Sequence, residues 1–488
     1  MKIISILGHC AELYRILVKS TNPSDDTASK FFRQKKYIGS SERRLISEVV
    51  FTTLRIKLLS EYCAEAAFNM SDSSLFLKDK DNKAKLFREF AVVATSCFIF
   101  NNFLNNDSLK IPISNEDISS SLSEKFSLND EQIRLLLQKL DASFRNLNEN
   151  SIDIISTTTE HNLDDSNFDL LSKRYSTPDW IMESWARKSN IKRAVAVAES
   201  FFEPAHLTMR TNSLLINRKS LIETLSAEGI KCRAGSLSPD SIILEQRVNL
   251  NNLESYKRGL YEVQDEGSQM IALAVSPGKD WSILDACAGA GGKSLHLATL
   301  QKDKGEIIAT DIEYQRLRQI RFRCHRACIR SIKTMLLNKE EKHSRYNISS
   351  ISPPEQLRTN YFDAVLVDAP CSGIGTSRRA PMSKYKLNPR LLEKLCANQL
   401  KILNHYSHFV RSGGILVYST CSLMPQENEI VAEKFLADNT DFEPDSLSPA
   451  YLRYGIQIPG LDDNSYHFTF YPHEFGCDGF FVARFKRK

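Results

Sequence analysis

The sequence predicts a doubly wound α/β domain in its C-terminal half, preceded by an all-α N-terminal domain and a small α+β middle domain. Three observations carry this. Beyond Asp265, short, branched and nearly uncharged runs alternate with helical stretches, the pattern of a largely parallel sheet with helices on both faces. The first of those runs leads into a glycine-rich turn, Asp285 to Ser294. Before about residue 145, by contrast, glycine is nearly absent and apolar residues recur at helical spacing. The expected divisions are 1–150, 168–262 and 263–488, and a chain of 488 residues is long enough for two or three domains.

In chain order, Leu13, Ile16 and Leu17, then Ile46, Val49 and Val50, then Ile133, Leu136, Leu137 and Leu140 mark helices. Polar breaks fall at Asn69–Ser74 and Asn105–Asn115, and the Ser/Asn/Asp/Thr-rich stretch Asn146–Asn167 reads as a linker. Leu207–Asn212 reads as a strand. Asn217 suits the N-cap of a helix ending at Gly229, and Ser241–Leu244 and Leu260–Val263 read as two further strands. The runs Trp281–Leu284, Glu306–Thr310, Ala364–Val367 and Ile415–Tyr418 suit strands buried on both faces of a parallel sheet.

Composition excludes several classes. Hydrophobic residues make up 42% and charged residues 25%, which argues against wholesale disorder and against collagen-like or coiled-coil chains. The longest apolar stretch, Ala91–Phe100, is about half a membrane span, so neither a transmembrane helix nor a membrane partner is expected. Met1–Leu7 has the outline of a signal sequence, but His9, Glu12 and Arg15 interrupt it and no small-x-small cleavage site follows. A cytoplasmic location is expected. The 11 cysteines, odd in number and scattered, suit reduced thiols. A net charge of +5 permits a nucleic-acid partner without demanding one. The first 50 residues carry nine basic against five acidic side chains, and Arg316–Lys333 carries seven basic and none acidic.

The turn reads Asp285-Ala286-Cys287-Ala288-Gly289-Ala290-Gly291-Gly292-Lys293-Ser294. Glycines between a strand and a helix let the backbone turn tightly and approach a ligand. A phosphate-binding P-loop is not met, because Cys287 stands where its first glycine belongs. The dinucleotide pattern fails because Ser294 occupies its last position. The looser Asp-x-x-x-Gly-x-Gly loop of S-adenosylmethionine enzymes fits. Asp311, at the tip of the next strand, is placed to accept both ribose hydroxyls of an adenosine.

Two further motifs follow apolar strands directly: Asp368-Ala369-Pro370-Cys371-Ser372-Gly373 and Tyr418-Ser419-Thr420-Cys421-Ser422. In open α/β sheets the ligand lies outside the carboxyl ends of the strands, so both cysteines should reach one crevice. Free cysteine is often simply core, but two at strand mouths, one beside an aspartate, point to chemistry. Carbon 5 of a pyrimidine is a poor nucleophile towards a sulfonium methyl. A thiolate adding to carbon 6 makes the ring an enamine, and carbon 5 becomes nucleophilic. An acid near ring nitrogen 3 stabilises the adduct, as Asp368 can if protonated or sharing a proton. A second thiol can assist loss of the carbon-5 proton and release.

With Glu427-Asn428-Glu429 downstream, these motifs resemble the Sun/Fmu-type RNA cytosine-5 methyltransferases. The resemblance runs from about Tyr261 to the C-terminus and includes Val263-Gln264-Asp265-Glu266, Arg378-Arg379-x-Pro381 and Asp478-Gly479-Phe480-Phe481. Leu207–Asn212 is similar to the family's Leu-Arg-x-Asn element. Arg43-Arg44-Leu45 to Leu54-Arg55 is similar to the NusB-like RNA-binding domain of the RsmB-like members. The resemblance implies a class I S-adenosylmethionine methyltransferase acting on RNA, with small-subunit (16S) ribosomal RNA favoured. A transfer-RNA substrate is the alternative within the class, and a non-catalytic RNA-binding ribosome assembly factor the alternative outside it. It implies Cys421 as nucleophile, Cys371 as the thiol of product release, and cofactor contacts from Cys287, Ala288, Gly289, Ala290, Gly291, Gly292, Lys293, Asp311 and Asp368. The family's third-strand aspartate aligns with Asn338, whose amide oxygen can still accept. A monomer is expected.

The family's Ala-Pro-Gly-Gly-Lys-Thr is here Gly289-Ala290-Gly291-Gly292-Lys293-Ser294, and loss of the proline is expected to loosen the loop. Met382 stands where an aspartate usually follows Arg-Arg-x-Pro. The run Arg316–Lys333 carries an apolar stripe of Leu317, Ile320, Cys324 and Ala327 and reads as an amphipathic helix with a solvated basic face. No second ligand pair joins Cys324, His325 and Cys328 at zinc-site spacing, so no metal is expected. Cys396 reads as core. Arg378 and Arg379 suit either RNA phosphate contact or local pairing.

Overall fold

The computed structural model describes residues 1–68, 82–104, 113–157, 164–246, 248–337 and 357–488. The polar break at Asn69–Ser74, most of Asn105–Asn115, and Asn338 lie outside the described residues. By internal contacts the chain divides into two units, residues 1–204 with 377–386, and residues 205–376 with 387–488.

The first unit is helical among its described residues, from Ile3–Lys19 to Ile191–Ser200. In the helix Asn82–Phe103 every residue from Phe90 to Phe100 is buried. A helix that is apolar all round needs cover on every side. Ile3–Lys19, Ser40–Arg55 and Lys57–Phe68 pack against it. Among the described residues no helix is long and apolar enough to cross a membrane.

The stretch read as a linker is partly helix. Asp130–Thr157 continues through it because Leu140, Phe144 and Leu147 carry the apolar stripe onward at spacings of three and four, all three buried. Asparagine on the outer face lowers helix propensity by only tenths of a kcal/mol, roughly, and burial of the stripe outweighs that.

The segment 377–386 belongs to this unit. Tyr385 Oη donates to Ser176 O at 2.8 Å, and Arg55 Nη2 donates to Arg378 O at 3.1 Å. Arg378 is itself buried and donates to Pro204 O at 3.2 Å. Of its two alternatives, burial favours local pairing over phosphate contact.

The second unit holds two sheets. Strands β1 (Leu207–Thr211), β2 (Cys232–Ala234), β3 (Ser241–Leu244) and β4 (Tyr261–Val263) form an antiparallel sheet in the order β2-β3-β1-β4. Asn217 caps the intervening helix Arg218–Ala227, accepting from Ser220 N at 2.9 Å. Arg210 and Asn212 explain the Leu-Arg-x-Asn-like element. Arg210, 2% exposed, donates to Gln264 and Thr299. Asn212 donates to the carbonyls of Gly259 and Ala327. These two buried side chains staple the small sheet to the larger one's helices.

The larger sheet contains β5 (Ser282–Asp285), β6 (Glu306–Asp311), β7 (Ile332–Leu336), β8 (Phe362–Asp368), β9 (Val410–Thr420), β10 (Phe442–Pro444), β11 (His467–Phe470) and β12 (Phe480–Arg487). Their order is β10-β12-β9-β8-β5-β6-β7, with β11 also on β12. β5 to β9 run parallel, and β12 is antiparallel to β9. Side chains alternate along a strand, so Ala364 and Leu366 enter one core while Val365 and Val367 enter the other. That is why Ala364–Val367 is apolar at every position. The chain steps outward from β5 to β7, then returns to the other side of β5 as β8. The switch point therefore lies between β5 and β8, where an open α/β sheet binds its ligand. β7, β12 and the antiparallel edge were not evident in the sequence; none of the five positions of β7 is fully buried, so it lacks the continuous apolar run of the central strands.

Candidate active site

The turn after β5 is built by left-handed glycines. Gly291 (φ +82°) caps the helix Gly292–Leu300, and a Cβ there would sit 2.7 Å from Ile320 Cγ1. Gly289 N donates to Asp311 Oδ2 at 2.9 Å, and Glu313 N to Asp311 Oδ1 at 2.8 Å. Ala290 O accepts from Arg323 Nη1 at 2.7 Å, and Ala288 N donates to Thr310 O at 2.9 Å. The loop that lacks the family's proline is thus tied to the neighbouring strand and helix by hydrogen bonds.

A cavity of about 470 Å³ opens over the ends of β5, β6, β8 and β9. Cys371, Cys421, Asp368 and Asp311 line it, as do all the sequence-predicted loop residues from Cys287 to Lys293 except Gly291, which serves the turn. Ile312, Leu337, Ile402 and Tyr406 give it an apolar wall. Burial pushes the Cys287 thiol up, so it remains protonated. Asp285, at the base of the loop, is pushed up to about 7 by burial despite a 2.6 Å hydrogen bond from Ser294 Oγ, and its Oδ1 has no partner among the described residues. Cys324 packs against the core, and among the described residues no group of three His, Cys, Asp or Glu could hold a metal ion.

Lys293 Nζ meets Asp368 Oδ2 at 2.6 Å, and Ser419 Oγ donates to Asp368 Oδ1 at 2.9 Å. Burial works against the Lys293 charge, but Asp368 outweighs it and the ammonium is held above its ordinary value. The thiols of Cys371 and Cys421 lie 3.3 Å apart. The hydrogen bond with Cys421, and then burial, push the Cys371 thiol well up.

Glu427 holds the two cysteine loops together, a role not read from the sequence although its motif was. Its carboxylate is 0% exposed. It accepts from Ser372 N (2.8 Å), Ser372 Oγ, Ser422 Oγ and Gln399 Nε2 (2.9 Å). Ser372 follows Cys371 and Ser422 follows Cys421, so one buried charge fixes both. Asn428 adds a second tie, accepting from Thr420 Oγ1 and donating to Ser422 O. The terminal Asp-Gly-Phe-Phe motif packs here too. Gly479 N donates to Gly375 O and Gly375 N to Cys421 O, at a separation where a Cβ on Gly375 would meet Gly479 O at 2.2 Å. The signal that could have revealed Glu427 is a carboxylate six residues after a strand-end cysteine.

The sheet order, the glycine turn and the acidic β6 tip define a class I S-adenosylmethionine-dependent methyltransferase. Residues 270–486 match the family described as 16S rRNA methyltransferase RsmB/F, and residues 177–251 match the ferredoxin-like domain of RsmF/B-like methyltransferases. The probable ribosomal RNA small subunit methyltransferase B of Bacillus subtilis is 32% identical over 318 residues, 65% of this chain and 68% of that protein. Its namesake from Coxiella burnetii is 26% identical over 444 residues, 87% and 91% of the two chains. Among solved structures, PH0851 shares the fold over 100% of this chain and 98% of its own, with a TM-score of 0.68 at 21% identity. A methyltransferase homologue from Pyrococcus horikoshii gives 0.53 at 26% identity, over 67% of this chain and 100% of its own. The chain belongs to the 16S rRNA methyltransferase RsmB/F family and is an RNA methyltransferase.

Glu427→Gln places an N–H donor among donors. It is expected to lower unfolding stability by about 2–4 kcal/mol and to slow methyl transfer about tenfold or more, with the dissociation constant for S-adenosylmethionine within about twofold of wild type. Denaturant titration, single-turnover transfer and calorimetry check the three. An unchanged transfer rate would remove Glu427 from the site.

Proposed function

We propose that this protein methylates carbon 5 of a cytosine in small-subunit ribosomal RNA through a covalent cysteine adduct. The observation that carries the proposal is the pair of strand-end thiols 3.3 Å apart, in one cavity with the Lys293–Asp368 pair. In the proposed mechanism Cys421 adds as thiolate to carbon 6 of the ring. Cys371 hydrogen-bonds Cys421 before attack; after methylation, having passed its own proton to solvent, its thiolate takes the carbon-5 proton as the carbon 6–sulfur bond breaks and Cys421 leaves as thiolate. Asp368 faces the base as an acceptor. The proton it shares with Lys293 is the one available to stabilise charge near ring nitrogen 3. Ser419 orients the carboxylate.

S-adenosylmethionine supplies an electrophilic sulfonium methyl group. The residues fit it: the glycine turn leaves room for close approach, Asp311 retains acceptor capacity towards ribose hydroxyls, and Ile312, Leu337, Ile402 and Tyr406 suit an adenine face. Asp311→Ala is expected to weaken S-adenosylmethionine binding by about 1–3 kcal/mol, since it removes both that acceptor and the tie to Gly289. Calorimetry reads this directly, and an unchanged dissociation constant contradicts the assignment. The helical first unit, with its basic start, is read as the source of RNA selectivity.

Bisulfite sequencing of total RNA from a strain lacking the gene tests the function. One protected cytosine of small-subunit ribosomal RNA should become convertible. A change confined to transfer RNA would move the substrate, and no change in either would favour a non-catalytic assembly role.

A further inference from the structure

Taking RNA as the substrate, we infer that the outer face of the helix Tyr314–Ala327 is a docking strip for single-stranded RNA beside the cavity. The sequence reads this helix as an amphipathic one with a solvated basic face, and the structure divides that face in two. Arg323 and Arg326 turn inward and pair with the buried Glu262 of β4, Arg323 at 3.0 Å and Arg326 through a shorter contact. They fasten the helix to the small sheet. The other side carries Tyr314, Arg318, Arg321, Phe322 and His325, all exposed and at spacings of three and four, hence on one face.

The aromatic content of that face is unusual. Tyr314 is 59% and Phe322 64% exposed, two of the three most exposed large hydrophobic side chains among the described residues. The guanidinium of Arg318 lies between them in sequence and 5.6 Å from the Phe322 ring centre. Among the described residues neither Arg318 nor Arg321 is paired with a carboxylate, and the helix contains no acidic residue. A solvated helix has no use for two bare rings. A nucleic-acid strand uses both elements, the rings as stacking platforms for bases and the guanidinium groups for phosphates and for cation–π contact. Eight residues of helix set the platforms about 12 Å apart along the axis, with arginine between. The start of the helix borders the cavity, which its N-cap Glu313 and Arg316 line. A strand lying along the helix would reach the rim of the cavity at its Asp311 end. Bases stack on such platforms whatever their sequence, so the strip would add affinity for an unpaired stretch flanking the target and little base selectivity.

The test uses the full-length protein and a fluorescein-labelled, single-stranded pyrimidine 12-mer of RNA, with its blunt duplex as comparison, read by fluorescence anisotropy without methyl donor. Tyr314→Ala and Phe322→Ala should each weaken single-strand binding about tenfold. Phe322→Trp should retain it, and Phe322→Leu, greasy but without a ring, should not. Arg318→Gln should lower the slope of log affinity against log salt by about 0.7. S-adenosylmethionine binding within about twofold of wild type shows that each variant is folded. Unchanged single-strand affinity in the Tyr314→Ala/Phe322→Ala double variant overturns the inference. So does full rescue by Phe322→Leu, or loss of a dimer in sedimentation with RNA affinity unchanged, which would assign the strip to a second copy of the chain. Binding is read apart from chemistry. Loss of RNA affinity in the variants with no 5-methylcytosine formed by wild type would therefore refute the proposed reaction and keep the strip.

Discussion

Cys421→Ala is expected to abolish methyl transfer, with a fall of about 10⁴-fold or more, the order seen when a covalent nucleophile is removed. Cofactor binding should stay nearly intact, because the Gly289–Asp311 tie and the apolar wall do not depend on this side chain. The substitution removes a half-buried sulfur at the mouth of β9 and leaves the Thr420–Asn428 and Ser422–Glu427 hydrogen bonds that shape the turn. The backbone carbonyl that accepts from Gly375 is also retained. Loss of activity would therefore not reflect collapse of the loop. Single-turnover transfer from labelled S-adenosylmethionine is the measurement, and wild-type-like rates would sink the nucleophile assignment.

Cys371→Ala should fail differently. If Cys421 forms the bond to carbon 6 and Cys371 acts when the adduct breaks down, the variant methylates once and then retains its RNA. A protease-sensitive protein–RNA band on a denaturing gel is expected. It should require both RNA and methyl donor and disappear in the Cys371→Ala/Cys421→Ala double variant. The 3.3 Å contact adds a second consequence. Without Cys371 the Cys421 sulfur loses that hydrogen-bond partner, and the adduct should still form. A band with Cys421→Ala and none with Cys371→Ala would exchange the two roles. A band with neither would reduce Cys371 to shaping the pocket.

Much of the candidate site was legible because it sits where apolar strands stop. The runs Ile307–Ala309, Ala364–Val367 and Ile415–Val417 are continuous and apolar, and Asp311, Asp368 with Cys371, and Cys421 follow within a few residues of their ends. The partners of those residues were not legible. Lys293 was noted as part of the glycine turn, but its 2.6 Å contact with Asp368 spans 75 residues. Of the two forms the sequence left open for Asp368, protonated or sharing a proton, that contact with an ammonium favours the second. Gln399 reaches Glu427 from the middle of a helix that reads as ordinary core packing.

The sequence by itself determined the doubly wound class and located the glycine turn and the two strand-end thiols, because these depend on local periodicity and on residue types that few other environments demand. The tertiary structure alone decided how they cooperate. It brought Cys371 and Cys421 into contact across 50 residues, placed one buried carboxylate between their loops, and divided a uniformly basic helix into an inner pair that binds Glu262 and an outer face with two bare rings. The physical reason is the range of the interactions. Strand and turn preferences act between near neighbours along the chain, whereas a hydrogen bond or ion pair acts only between atoms that the completed fold has brought within about 3 Å.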